Sequence, residues 1–303
     1  MSEPKLIVCG VDLRQGGDRA IVEADAWARR EGGRVLFVHA IFEPSRSHVL
    51  FPQLSQRALQ SFPYLARLAA DAVSGRVSAL TGREGSSVES VVEMGSPAAI
   101  LVNEAEKARA DVIVIGATGE SQGVGPLGSV ALRVVRHAHC PVLVARASPE
   151  AGPVVAASDL SDPAFPAIGA GAAMAASLGA DFHVVHAVDF PPPVPMSPET
   201  VGLGLGQGAT EQEMQLLREA ARDGLDSAMR RIGLTVRGII DDGLPAVAVL
   251  RNARRLGARL LVIGTEGRTG LRRMLLGSTA EQILREAPCS VLVVRLHSHG
   301  DPS

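Results

Sequence analysis

The segment Ile263-Gly-Thr-Glu-Gly-Arg-Thr-Gly-Leu-Arg-Arg-Met-Leu-Leu-Gly-Ser-Thr279 holds the spacing Gly264-x2-Gly267-x9-Gly277-Ser278. Glycines let a backbone approach an anion closely and present consecutive N–H groups. A helix starting near Ser278 adds unsatisfied N–H donors and about half a positive charge from its dipole. Ser278 supplies a hydroxyl at the same point, and Arg268, Arg272 and Arg273 can neutralise charge nearby. These parts suit a phosphate chain. The alternative, glycines that only turn the chain between a strand and a helix, explains one glycine better than four ordered elements with basic residues among them.

The elements that must position this loop are written twice. Gly95-Ser-Pro-Ala-Ala-Ile returns as Gly243-Leu-Pro-Ala-Val-Ala, and Asp111-Val-Ile-Val-Ile-Gly116-Ala-Thr-Gly119 as Arg259-Leu-Leu-Val-Ile-Gly264-Thr-Glu-Gly267. Val142-Leu-Val-Ala-Arg146 returns as Val291-Leu-Val-Val-Arg295, so the offset is 148, 148 and then 149 residues. A period this long is a duplicated domain, since solenoid repeats run at about 20–50 residues. The division falls in Arg146-Ala-Ser-Pro-Glu-Ala-Gly-Pro153, which gives domains 1–148 and 149–303, each of ordinary domain size.

Within each half, short β-branched runs alternate with Ala/Leu/Arg segments of helical period, the pattern of parallel βα units. The strand candidates are Lys5–Val11, Arg34–Ile41, Ser87–Glu93, Asp111–Gly116 and Pro141–Arg146, then Pro153–Ser158, Asp181–Val188, Thr235–Ile240, Arg259–Gly264 and Ser290–Arg295. Runs apolar on both faces, such as Val112–Ile115, suit central parallel strands covered by helices on both sides. Four helices per half lie between them. Ser96-Pro97 is a helix start, and Ser129 and Ser278 are candidate caps for the last helix of each half. The Pro- and Gly-rich stretch 190–208 reads as a long loop.

Composition narrows the function. A formal charge of −2 with scattered Lys and Arg gives no electrostatic footprint for nucleic acid, and 3% aromatic residues leave no stacking platform. Cys9, Cys140 and Cys289 read as buried reduced thiols of a cytoplasmic protein. No apolar run approaches the ~20 residues of a membrane span. His137-Ala-His139-Cys140 lacks the paired clusters of a structural zinc site, so no metal site is expected. Gly123-Val-Gly125-Pro-Leu-Gly128 mimics a dinucleotide fingerprint, but it does not sit in a first βα turn with an acid ending the next strand.

These features together resemble the universal stress protein family in its tandem form, over essentially the whole length. The family's nucleotide signature, Gly-x2-Gly-x9-Gly-Ser/Thr, is matched without a gap by Gly264, Gly267, Gly277 and Ser278. The resemblance implies an Asp ending the first strand that contacts adenosine, matched by Asp159 and Asp12. It also implies an adenine-pocket residue after a strand-two His, matched by Ala187 after His186 and Ala40 after His39. It implies an adenine nucleotide alpha-hydrolase-like α/β fold, two tandem doubly wound five-stranded parallel-sheet domains of strand order 3-2-1-4-5. The apolar edge strands Pro141–Arg146 and Ser290–Arg295 are then expected to meet across a pseudo-twofold axis.

The first half departs from the signature. After Gly116-Ala-Thr-Gly119 only eight residues precede Gly128-Ser129, and the loop carries Glu120 and no Lys or Arg. The expected nucleotide site is therefore Ser158, Asp159, Ala187, Gly264, Gly267, Arg268, Gly277, Ser278 and Thr279. Asp12, Ala40, Gly116, Gly119, Gly128 and Ser129 form a degenerate counterpart. The expected function is an ATP- or AMP-binding stress-response regulator, with Mg²⁺ bridging phosphate oxygens and no catalytic residues. Its partners are the nucleotide, its own other half and a second copy of the chain. Two alternatives stand beside it, an interaction scaffold with relic sites and a slow ATPase.

Overall fold

The computed structural model describes residues 5–41, 52–117, 127–189, 210–265 and 276–295. The first half contains the strands β1 (Leu6–Gly10), β2 (Arg34–Ile41), β3 (Glu89–Met94), β4 (Val112–Gly116) and β5 (Val142–Ala145). Its helices are α1 (Asp18–Glu31), α2 (Pro52–Thr81), α3 (Pro97–Lys107) and α4 (Ser129–His137). The second half contains β6 (Val154–Ala157), β7 (Phe182–Val188), β8 (Arg237–Asp242), β9 (Leu260–Gly264) and β10 (Ser290–Val294). Its helices among the described residues are α5 (Phe165–Leu178), α6 (Glu211–Arg231), α7 (Pro245–Leu256) and α8 (Ser278–Glu286).

All ten strands form one sheet, ordered β3-β2-β1-β4-β5-β10-β9-β6-β7-β8. Each half has the expected 3-2-1-4-5 order and is parallel throughout. The halves join through one antiparallel pair, with Val291 opposite Val144, Leu292 opposite Leu143 and Val293 opposite Val142. Strands that would each be an apolar edge in isolation are thus both paired. The two cores are continuous across this seam. Val8, Ile113, Val144, Val291 and Ile263 share one buried cluster. Cys9, Val114, Leu143, Leu292 and Val262 share another on the opposite face.

The seam is also locked by two exchanged arginines. Arg146, which follows β5 and is 3% exposed, donates from Nη2 to the carbonyl of Leu284 at 2.6 Å, in the last turn of α8. Arg295, which follows β10, donates from Nη2 to Val135 O at 2.9 Å and to Arg136 O, in the last turn of α4. Each half therefore supplies the cation that satisfies helix-end carbonyls of the other. Arg136 adds a 2.8 Å ion pair to Glu281 across the same interface.

Two expectations shift. The strand expected at Thr235–Ile240 runs instead over Arg237–Asp242, with Asp241 and Asp242 in register with Ala187 and Val188. These carboxylates look like loop residues, but on an edge strand they reach solvent-side arginines, Arg251 at 2.8 Å and Arg218 at 2.6 Å. Ser87 belongs to a 3₁₀ turn (Gly85–Ser87), with its hydroxyl accepting from Glu84 N, so β3 begins later than expected.

Replacing Arg146 or Arg295 by Ala strands helix-end carbonyls in a buried seam, and each should lower unfolding free energy by about 1–3 kcal/mol, read from urea denaturation. Unchanged midpoints would show the exchange to be idle. The three cysteines are free and buried. Burial lifts the thiols of Cys140 and Cys289 from 9.0 to about 11 and about 12, and that of Cys9 further still. Because the folded-state values are raised, their contribution to stability is intact below pH about 9 and is lost as pH rises through about 11–12. Iodoacetamide at pH 8 should label none of them until urea unfolds the chain. Prompt labelling of the native protein would contradict this burial.

Candidate functional site

In each half the first strand is the point where strand order reverses, with β2 and β4 flanking β1 and β7 and β9 flanking β6. Ligands of open parallel sheets bind at the carboxyl ends of strands at such a point. The tips found there are Asp12, Ala40 and Gly116 in the first half, and Asp159, Ala187 and Gly264 in the second.

The first-strand tip is built by short hydrogen bonds. Val11 N donates to Val38 O at 2.9 Å, and Ser158 N to Val185 O at 3.0 Å, which extends each ladder by one rung. The imidazole Nδ1 of His39 donates to Val11 O at 2.8 Å, and that of His186 to Ser158 O at 2.8 Å. Each histidine therefore fixes the carbonyl just before the aspartate and carries its proton on Nδ1. The aspartates close turns on themselves. Asp12 Oδ1 accepts from Arg14 N at 3.0 Å, and Asp159 Oδ1 accepts from Ser161 N at 3.0 Å and from its hydroxyl at 2.5 Å.

The sequence reading missed what these turns cost. Leu13 and Leu160 stand at φ 59° and 63°, in the left-handed region that a branched-chain residue rarely occupies. Such strain persists only where the surroundings over-determine it, and it gathers at functional sites. Gly17 was missed as well. A Cβ there would fall 2.1 Å from Asp12 Oδ1, so glycine makes room for the aspartate. The available signal was the dipeptide Asp12-Leu13 recurring as Asp159-Leu160.

The glycine loops are pinched at matching necks. Ala117 N donates to Ala145 O at 3.0 Å and Gly128 N to Ala117 O at 2.8 Å. In the second half Thr265 N donates to Val294 O at 3.2 Å and Gly277 N to Thr265 O at 3.0 Å. The residue missing from the first-half loop is thus absorbed between the neck positions, which keep their bonding. Gly119, Gly267, Arg268, Glu120, Arg272 and Arg273 lie outside the described residues, as does the loop 190–208. The capping expectation is corrected. Gly128 and Gly277 are the N-caps, with φ/ψ of −66°/150° and −60°/148°, and neither helix has a side-chain cap bond. Ser129 and Ser278 are the first helical residues, one position too late for capping, so their hydroxyls stand on the opening turn.

Asp12, Ala40, Gly116, Gly128 and Ser129 all line one cavity of about 450 Å³ in the first half. In the second half Ser158, Asp159 and Ala187 line a cavity of about 690 Å³ that extends to Phe165 and α6. Gly264, Gly277, Ser278 and Thr279 are not among its described walls. They occupy the tip of β9 and the start of α8, and β9 is hydrogen-bonded to β6. Among the described residues no cluster of three or more His, Cys, Asp or Glu is placed to hold a metal. Among them also, no helix is long and apolar enough to cross a membrane.

Comparison with known proteins follows the duplication. The model of the universal stress protein family matches twice, over residues 4–146 and 151–295. A universal stress protein of Methanocaldococcus jannaschii is 32% identical over 145 residues, covering 47% of this chain and 81% of its own length. One from Mycobacterium tuberculosis is 30% identical over 217 residues, 69% of each chain. A universal stress protein from Archaeoglobus fulgidus superposes with a TM-score of 0.60 at 18% identity, over 97% of this chain and 99% of that one. A Pseudomonas aeruginosa protein of unknown function does so at 0.65 and 20% identity, over 97% and 93%. Two family matches that together span nearly the whole chain, on the fold just described, show that it belongs to the universal stress protein family.

Proposed function

We propose that the protein is an adenine-nucleotide-binding regulator whose principal site lies in the second half. The observation that carries this reading is Gly277. Its φ/ψ of −60°/148° suits any residue, and a Cβ there would meet Thr265 O at an ordinary 3.5 Å. Nothing among the described residues demands glycine there. An approaching phosphate does, because a side chain would stand between it and the opening N–H groups of α8, which have no intrahelical acceptor. Ser278 and Thr279 add hydroxyls on that turn. The loop sequence adds Arg268, and the Asp159 and Ala187 tips receive the nucleoside end. Ser158 braces the same turn, its hydroxyl accepting from Leu160 N at 3.0 Å.

The first-half cavity is shaped by the matching residues, but its loop holds Glu120 and no cation, so it is the weaker site for a polyphosphate. Mg²⁺ would bridge phosphate oxygens, which are the hard ligands it prefers. ATP and AMP both fit this chemistry. Reduced, buried cysteines support a reducing compartment such as the cytoplasm.

Titration calorimetry with ATP should give about one strong site per chain. Gly277→Val should weaken it by roughly a hundredfold or more, because two hydrogen bonds to charged groups, each worth about 1.5–3 kcal/mol, are lost. Gly128→Val should change ATP affinity little, while its Cβ, 3.3 Å from Ala117 O, lowers stability somewhat. Equal loss in both variants, or in neither, would overturn the assignment. In a separate titration Asp159→Ala should weaken ATP but leave inorganic triphosphate nearly unaffected. A parallel loss of both ligands would place Asp159 with the phosphates instead.

A further inference from the structure

The outer face of α2 carries apolar surface that stays open among the described residues. The inner face packs Val73 and Val77 into the same core as Ile21 and Phe37, and Arg76 holds one flank to Asp18 of α1 at 2.7 Å. On the side away from the sheet, Leu65, Leu68, Ala72, Gly75 and Ala79 follow one another at steps of three, four, three and four. That spacing is the seam of a coiled coil, and all five residues are exposed. Leu65 and Leu68 are 40% and 48% exposed, and Tyr64 beside them 67%. Three of the eight large apolar side chains exposed among the described residues thus fall within five positions of one helix.

Gly75 sharpens the pattern. Glycine weakens a helix interior, yet a Cβ at Gly75 would meet no heavy atom within 4 Å, so no described neighbour keeps it bare. A second helix at close approach does. The other half of the chain lacks the feature. The left-handed glycines Gly82 and Gly233 end α2 and α6 alike and set an offset of 151 residues. At that offset the seam becomes Leu216, Glu219, Asp223, Asp226 and Arg230, a charged and solvated face.

The seam on α2 is complementary to itself. With a twofold axis at the level of residue 70, Leu65 faces the partner's Gly75 and Leu68 faces the partner's Ala72, large against small in both directions. Arg67 and Asp71 share the flank away from α1, and both are exposed. At about 1.5 Å of rise per residue, Arg67 stands roughly 3 Å along the axis from the partner's Asp71. Two guanidinium groups therefore answer the two carboxylates beside the axis. Shape and charge both match this face to a second copy.

We propose that the outer face of α2 is a dimer interface between two copies of this chain, with the α2 helices packed antiparallel about residue 70. A single helix pair is smaller than the about 1,200–2,000 Å² of a standard interface, so the association is reversible and concentration-dependent. The test is sedimentation equilibrium of the full chain across about 1–300 µM, where a monomer–dimer equilibrium should appear. Leu68→Glu should raise the dimer Kd at least about tenfold, and Leu216→Glu, on the matching position of α6, should leave it unchanged. Arg67→Asp and Asp71→Arg should each raise it about two- to fivefold, and the double exchange should restore it to within about twofold of the parent. A monomer at every concentration, a dimer that Leu68→Glu leaves intact, or a double exchange without recovery would overturn the proposal. If Leu68→Glu fails to fold, by its melting curve, the charge exchange decides alone. No residue of the seam lines either strand-tip cavity. ATP affinity of Leu68→Glu should therefore match the parent, which keeps failure here separate from failure of the nucleotide reading.

Discussion

The antiparallel pairing of β5 with β10 is the constraint on which the rest depends. Two parallel five-stranded sheets each end in an apolar strand that cannot be left open to water, and their union makes a single ten-stranded sheet with shared cores on both faces. The same two strands brace the glycine loops. Ala145 O and Val294 O hold Ala117 N and Thr265 N at the loop necks, while the next residues, Arg146 and Arg295, cross to the last helix of the opposite half. The helix whose first turn is proposed to meet phosphate is thus held at its far end by an arginine of the other half.

Upon that frame the two halves have diverged in different ways. The tip of the first strand is built alike in both, with a histidine on the preceding carbonyl, an aspartate turned onto its own backbone, and a strained leucine. The loops differ in length and charge while keeping their necks. The packing over the other face differs most, since charged and branched residues of α1 and α2 are replaced by small and aromatic ones on α5 and α6. Divergence therefore lies in the loop sequences and in the helix packing, while the backbone at the strand tips and loop necks is common to both.

Much of this was legible in the sequence because duplication states each element twice. Val112–Ile115 and Leu260–Ile263, apolar on both faces, are central strands as their composition requires. The matching edge strands meet as expected. The strand β8 was misplaced by two residues because Asp241 and Asp242 resemble a loop when their partners Arg218 and Arg251 are out of sight. Ser129 and Ser278 look like caps in sequence, yet extended backbone begins one residue earlier, at glycine. The strain at Leu13 and Leu160 and the space beneath α6 arise from contacts between segments distant in sequence, and no local pattern reports them.

Photolabelling with 8-azido-ATP, followed by peptide mapping, tests the central claim most directly, because the azide reacts beside the adenine ring. Labelling should concentrate on the second half, around the β6 and β7 tips at Asp159 and Ala187, and be suppressed by excess ATP. Labelling confined to the Asp12 and Ala40 tips of the first half, or labelling that ATP does not suppress, would contradict a principal nucleotide site in the second half.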